Sequence, residues 1–366
     1  MSASGVKLEL RNVTKSFGGL PAVDNLSLSL YQGEFLSLLG PSGCGKSTTL
    51  SMIAGFESPD SGEIFVDERC VNDIPTRSRG VGIVFQDYAV FGRLSVRENL
   101  GFGLAAKGVP KAERKSATED MAHKLGLTSI LATRGDKLNM SEMQRVALGR
   151  AIIMKPALLL LDEPMSNLDA EVRLELRSEL RQIQTDLGQT VLYVTHDQVE
   201  AMAMSDRIAV MNRGQLLQVG PPLDIFLEPK SKFVAEFIGD PPINLIPCTV
   251  RKSGAKATLT TAIHDCLPIG NMVSHEYLLA IRPHNIKASH SPAPHSSPSR
   301  VRVVENYGSE HVLHTEYGTQ SVRVSVPPHF AAVDDEIQLV LDLQHAFLVD
   351  PSSDAMIALV TPDRTV

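Results

Sequence analysis

Residues 6–66 alternate apolar and polar side chains with a period of two, in the runs VKLELRNV, LSLSL, EFLSLLG and EIFV. The turn signals GG, QGE and SPDSGE divide them, so the stretch reads as strands joined by tight connections. From 87 to 155 the pattern changes to long, charged, helix-favouring runs such as KAERKSATEDMAHKLG and VALGRAIIM. Beyond 157, short apolar runs (ALLLLD, TVLYVTH, RIAVM) alternate with amphipathic ones (EVRLELRSELRQIQTDLG, QVEAMAM). Strand alternating with helix predicts an α/β fold, a mostly parallel sheet covered on both faces. Near 240 the proline-rich FIGDPPINLIP reads as a junction. The short β-rich runs after it (CTV, ATLTTAI, YLLAI, RVRVVENY, SVRVSV, EIQLVLDL) predict a small all-β barrel or sandwich. Within that tail, KASHSPAPHSSPSR (287–300) reads as an exposed flexible loop.

Composition narrows the classes. A chain of 366 residues has room for two or three domains. A net charge of -7 speaks against a general nucleic-acid binder. From residue 248 onward 9 Lys and Arg face 12 Asp and Glu, a poor electrostatic groove for an oligonucleotide-binding barrel. The four cysteines, Cys44, Cys70, Cys248 and Cys266, form no CxxC pair, which suits reduced thiols better than disulfides or zinc. Nine of the eleven histidines lie in the tail. In HVLH, His311 and His314 fall on opposite strand faces, so the tail histidines read as solvated surface rather than a metal site. The start, MSASGVKLELRNV, shows no signal-peptide pattern. ALLLL at 157–161 is far short of the roughly 20 apolar residues that span a bilayer. The expectation is a soluble chain that docks on a membrane protein.

Chemistry gathers at three places. GPSGCGKST (40–48) follows the apolar FLSLL and leads into TTLSMIAG. It fits GxxxxGK[ST] in the strand–loop–helix setting that the motif needs. Gly40, Pro41, Ser42, Gly43, Cys44 and Gly45 form the loop, and its glycines let backbone N–H groups wrap a phosphate at a helix start. Lys46 would reach the β- and γ-phosphates of ATP, and Ser47, next to Thr48, would hold Mg²⁺. LLLLDEP puts Asp162 at a strand end, where it can bind Mg²⁺, and Glu163 next to it as general base for the attacking water. His196, in LYVTHDQ, ends another apolar run and is expected in the same crevice.

These motifs, with VFQDYAVF (84–91), QRVALGRA (144–151) and LLLLDEPMSNLD (158–169), stand in the order and spacing of an ABC-transporter ATPase subunit, a P-loop NTPase. The resemblance covers 6–235 densely. It implies an ATPase domain over 6–237 with a helical subdomain at about 87–155, and a regulatory β-barrel, OB-like, over 238–366. By it, Gln86 resembles the loop glutamine that senses Mg²⁺ and water and couples to the membrane domain. His196 is similar to the switch histidine at the γ-phosphate, and Phe17 to the aromatic that stacks on adenine. Ser166, Asn167, Leu168 and Asp169 look like the segment that crosses to a partner ATPase. FIGDPPINLI (237–246) and LLAIRPHNI (278–286) look like the junction and tail of sugar- and glycerol-phosphate-importer ATPases. Polyamine, iron and sulfate importers carry similar tails, and a non-transport ABC ATPase is the more distant alternative. The implied partners are two permease subunits, a second ATPase and, indirectly, a solute-binding protein, at the cytoplasmic face of a membrane, with no nucleic acid.

One stretch departs from the family. The pattern LSGGQxQR falls on LNMSEMQR (138–145). Leu138, Gln144 and Arg145 match, but Asn139, Met140, Ser141 and Glu142 replace Ser-Gly-Gly-Gln. A second register, with MSEMQ on LSGGQ, needs a two-residue deletion before the helix. In the family this segment closes over the nucleotide of the other subunit. Met140 crowds a point of close backbone approach, and Glu142 brings negative charge toward a triphosphate, at about 1 kcal/mol in water and about 4 at a protein surface for charges ~4 Å apart. The expectation is a pair with a non-identical ATPase whose own segment is intact.

Overall fold

The computed structural model describes residues 5–359 apart from 167, 254–255, 265–266, 270–272 and 274. By internal contacts the chain divides between Pro222 and Leu223. The first unit contains β1 (Val6–Phe17), β2 (Leu20–Tyr31), β3 (Phe35–Leu39), α1 (Lys46–Ala54), β4 (Ser61–Val66), β5 (Arg69–Cys70), β6 (Val81–Val84), α2 (Val96–Ala106), α3 (Lys111–Lys124) and α4 (Met140–Ile152). It continues through β7 (Leu158–Asp162), α5 (Ala170–Leu187), β8 (Val191–Thr195), α6 (Gln198–Met204), β9 (Arg207–Asn212) and β10 (Gln215–Gly220). The second unit opens with α7 (Pro222–Leu227), which starts at the division, and α8 (Lys232–Phe237).

Six strands form the central sheet in the order β10-β9-β3-β8-β7-β6, parallel except for the antiparallel edge β10. All five residues of β3 and of β8 are buried, as expected of strands covered on both faces. Alternate side chains go to opposite layers. Phe35, Leu159, Leu161, Val191 and Tyr193 pack with the helices α2, α4 and α5. Leu36, Leu38, Leu158, Leu160, Leu192 and Val194 pack with α1 and with Leu8, Leu10, Leu26 and Leu30 of a second, antiparallel sheet, β2-β1-β4-β5. Behind α1, the buried Arg79 donates to the carbonyls of Met52 (2.7 Å) and Ile53 (3.0 Å). A cation on the last carbonyls complements the helix dipole and fixes the end of α1.

The second unit is all-antiparallel beyond α8. Its strands are β11 (Asn244–Ser253), β12 (Lys256–Thr260), β13 (Leu267–Ile269), β14 (His275–Ile281), β15 (Ile286–Ser289), β16 (Ser297–Asn306), β17 (His311–Tyr317), β18 (Gln320–Val326), β19 (Glu336–Leu341), β20 (Phe347–Val349) and β21 (Met356–Ala358). They form a six-stranded sheet, β13-β12-β11-β14-β20-β21, and a five-stranded one, β15-β19-β16-β17-β18, around one core. Arg282 clasps the helical entry: it donates to Ile238 O (2.7 Å) and Phe226 O (2.9 Å) and lies 3.9 Å over the Phe226 ring.

Two expectations for this tail need correction. The Ser/Pro run 287–300 is not one exposed loop. Its ends lie in β15 and β16, which flank β19, and Ser297 and Ser299 are buried. Their small hydroxyls satisfy the backbone, donating to Ile263 O and Glu316 O, which serine composition alone does not announce. Nor are all the tail histidines solvated. His264 is 2% exposed, with Nδ1 2.6 Å from Tyr317 Oη and Nε2 3.0 Å from Leu339 O; His311 is also buried. Both ring nitrogens of His264 are used, so its burial is satisfied. Among the described residues no group of three or more His, Cys, Asp or Glu could hold a metal ion.

Candidate nucleotide site

The carboxyl ends of β3, β7 and β8 lie side by side, with Leu39 paired to Thr195 and Asp162 to Val194. The residues expected to act therefore share one edge of the sheet, where open α/β sheets bind ligands. Between β3 and α1 the loop 40–45 turns tightly. Gly45 is the N-cap of α1 at φ 106°, with no side-chain cap, and the first turn of α1 carries no acid. A Cβ at Gly45 would stand 2.3 Å from Ala22 O, and one at Gly40 2.3 Å from Met211 O. Gly43, at φ 78°, faces open space. The loop is thus clamped by neighbouring backbone on two sides and open at its crown, a shape only glycine supplies. Cys44 is buried, and its carbonyl accepts from Gly214 N (3.0 Å); what it offers a ligand is backbone, not thiol. Lys46 is 4% exposed and donates to Gly40 O (2.7 Å) and Pro41 O (3.0 Å), arched back over the loop.

Ser47 Oγ lies 3.4 Å from Asp162 Oδ1. Both are hard oxygens of the kind that would hold Mg²⁺ between them and the phosphates. Burial pushes the Asp162 carboxyl above its ordinary range and Glu163 adds to it, against the Ser47 bond and the Lys46 charge. Glu163 takes a left-handed backbone, φ 43°, and its Oε2 stands 3.0 Å from His196 Nδ1. A non-glycine residue held there is backbone strain of the kind stored at functional sites. Gln86 Nε2 donates to Ser166 Oγ (3.1 Å), and Ser166 Oγ to Glu163 O (2.9 Å). Gln86, Glu163, Ser166 and His196 therefore form one connected set. Asp169 is the N-cap residue of α5 without a side-chain cap bond; Asn167 lies outside the described residues. Thr48 sits half-buried in α1 and Ser42 is exposed on the loop. Phe17, at the end of β1, is 48% exposed with Lys15 Nζ 5.3 Å from its ring centre, so it belongs to the surface rather than the core.

The start of α4 is built differently. Asn139 is its N-cap: Asn139 Oδ1 accepts from Glu142 N (2.9 Å), and Glu142 Oε2 accepts from Asn139 N (2.9 Å). This is a complete capping box. It answers why LNMSE carries an acid: the Glu142 carboxylate is turned onto its own helix start. It also fits the register with Asn139 in the serine position, since Asn caps as well as Ser. Met140 is 41% exposed at the first helical position.

The model of the ABC transporter family matches residues 23–166. The trehalose/maltose import ATP-binding protein MalK of Thermococcus litoralis is 42% identical over 332 residues, 86% of this chain and 89% of that protein. The chain belongs to the ABC transporter family and is one of its ATP-binding subunits. The xylose/arabinose import ATP-binding protein XacJ of Haloferax volcanii is 40% identical over 98% of this chain and 92% of its own length. The sn-glycerol-3-phosphate import ATP-binding protein UgpC of Ralstonia nicotianae is 37% identical over 95% and 97%. Among solved structures, cbiO1 of Clostridium perfringens, part of the ABC transporter complex cbiONQ, superposes with TM-score 0.57 and 27% identity, over 61% of this chain and 91% of that one. As an ABC ATPase subunit the chain binds and hydrolyses ATP. None of its helices among the described residues is long and apolar enough to cross a membrane.

Sequence reading missed Arg79. An arginine between a turn and a strand gives no sign that it caps a helix 25 residues earlier, because that pairing is tertiary.

Proposed function

We propose that this subunit powers the import of a sugar, polyol or glycerol-type solute. It would do so at the cytoplasmic face of a membrane, with two permease subunits and, indirectly, a solute-binding protein. The relatives named above, whose own names give sugars and glycerol phosphate and which span nearly the whole chain, support that class. Residues 6–237 act as the ATPase domain and 238–366 as the regulatory domain, although the stretch 223–237 packs within the second compact unit. In the site, loop 40–45 and Lys46 hold the phosphates, Phe17 stacks on adenine, and Ser47, Asp162 and Gln86 hold Mg²⁺. Glu163 takes the proton of the attacking water, and His196, bonded to it, contacts the γ-phosphate. The observation that carries this reading is the 3.0 Å contact between Glu163 and His196 beside the Ser47–Asp162 pair.

The second ATPase is read as non-identical. Asn139, Met140, Ser141 and Glu142 offer a triphosphate a helix start that already carries its own acid. The experiment is to purify the transporter on a tag carried by this chain and identify its subunits by mass spectrometry. A second, different ATPase with two permeases is the expected set. Two copies of this chain, with ATP turned over at both sites, would refute the mixed pair.

A further inference from the structure

Arg173 lies in the first turn of α5, and its guanidinium spans two segments. Nη2 donates to Leu168 O (2.9 Å) and Nη1 to Asp197 Oδ2 (3.2 Å). Leu168 belongs to the segment 166–169; Asp197 directly follows His196. Asp197 is itself fixed. Its Oδ1 accepts from Val199 N (2.8 Å) and Glu200 N (3.1 Å), and its own N–H donates to Thr195 Oγ1 (2.9 Å). On the other side of His196, Thr195 Oγ1 donates to Glu200 Oε2 (2.8 Å), which also accepts from Tyr193 Oη (2.7 Å). Glu200 is 3% exposed, and Arg173 Nε lies 4.0 Å from its second oxygen. His196 is thus slung between two residues anchored to a buried carboxylate and a guanidinium.

The segment 166–169 holds the other half of the pair too, because Ser166 Oγ bonds the Glu163 carbonyl (2.9 Å). Ser166 and Leu168 therefore reach both sides of the Glu163–His196 contact, Ser166 directly and Leu168 through Arg173. We propose that Arg173 is a positioning residue that holds the loop bearing His196 against Leu168 and so fixes the Glu163–His196 geometry. The inference rests on the ATPase reading of this site. The planar fork of arginine reaches a carboxylate and a carbonyl at once; a lysine ammonium is a point charge on a flexible stem and cannot reproduce both bonds in register. A displaced catalytic group costs rate far more than it costs ground-state binding.

The test uses the full chain with Arg173→Lys and Arg173→Gln. NMR of labelled histidine reads His196, its resonance identified by its loss in His196→Gln, and Mg-ATP is the binding probe. In the Lys variant the His196 signal should shift while ATP affinity stays within about twofold. In the transporter purified on a tagged copy, kcat should fall about tenfold to a hundredfold with KM unchanged. A wild-type His196 signal in the Lys variant, or full kcat from it, overturns the proposal. If the Gln variant does not fold, the Lys variant decides, because it keeps the charge. If the wild-type transporter hydrolyses no ATP, the ATPase reading fails, while the coupling between positions 173 and 196 is still read in the spectrum.

Discussion

Two helix starts in the first unit face opposite ways chemically. α1 begins behind Gly45 with no side-chain cap and no acid in its first turn. α4 begins at Asn139 with both arms of a capping box in place and Glu142 at its third position. Unpaired N–H groups and a positive dipole end are what an anion seeks. At α1 those groups remain open to phosphate, and Lys46 is arched over the same loop. At α4 a carboxylate of the helix itself sits on the helix start, bonded to the Asn139 N–H. The same backbone physics thus leaves one helix start without an acid and gives the other one of its own, and the difference lies in a few side chains.

The largest expected effect breaks the open side. Glu163→Gln keeps size and polarity but removes the base, and general base catalysis contributes roughly 10²–10⁴ in rate. ATP turnover of the purified transporter should fall by about that factor while Mg-ATP still binds in equilibrium titration. Turnover within a few fold of wild type would remove Glu163 from the chemistry.

Next comes the closed side. Met140→Gly with Glu142→Gln should restore close approach and remove the charge while leaving an amide able to cap. ATP turnover by the chain with itself should rise about tenfold, the equivalent of about 1.4 kcal/mol, within the range for a unit charge ~4 Å from another. An unchanged rate would mean that the capping box is no obstacle to a second nucleotide.

Much of this was legible in the sequence, for physical reasons that differ by region. The period-two runs of 6–66 and the buried LLLLD and VLYVT are local signals, and β1–β4, β7 and β8 fall on them. The phosphate loop was readable because glycine spacing and the strand before it are contiguous. The capping box is legible in principle, as Asn-x-x-Glu ahead of an apolar run, but the family pattern places Glu142 against a triphosphate, whereas in the fold it turns onto Asn139. What stayed hidden depends on residues far apart in the chain. Arg79 on the end of α1, Arg173 between Leu168 and Asp197, and His264 closed against Tyr317 and Leu339 are tertiary bonds without a local pattern. The serines of 297–299 misled for the opposite reason: their composition favours a loop, and the pairing of β16 with β19 and β17 overrides it.

The smallest prediction compares the two acids by what each does for the fold. Asp162, at the open site, is pushed above the ordinary carboxylate range chiefly by burial, then by Glu163. A carboxyl whose folded value is raised binds its proton more tightly folded than unfolded, so ionising it at neutral pH costs stability. Asp162→Asn should therefore raise the melting temperature of the nucleotide-free protein at pH 7. The gain should shrink as pH falls through the raised value and disappear below the ordinary 3.8, where the wild-type carboxyl is protonated in both states. Glu142 sits at the positive end of α4 and accepts its own N-cap N–H, an arrangement worth roughly 0.3–1 kcal/mol. Removing its charge should lower the melting temperature slightly or leave it unchanged. The decisive measurement is the pair of calorimetric scans at pH 7 and below pH 5. Opposite signs at neutral pH fit an acid kept for ligand binding at α1 and an acid kept for the helix at α4. A melting temperature that falls in Asp162→Asn would mean that Asp162 supports the fold as Glu142 does, and the contrast between the two helix starts would then rest on glycine alone.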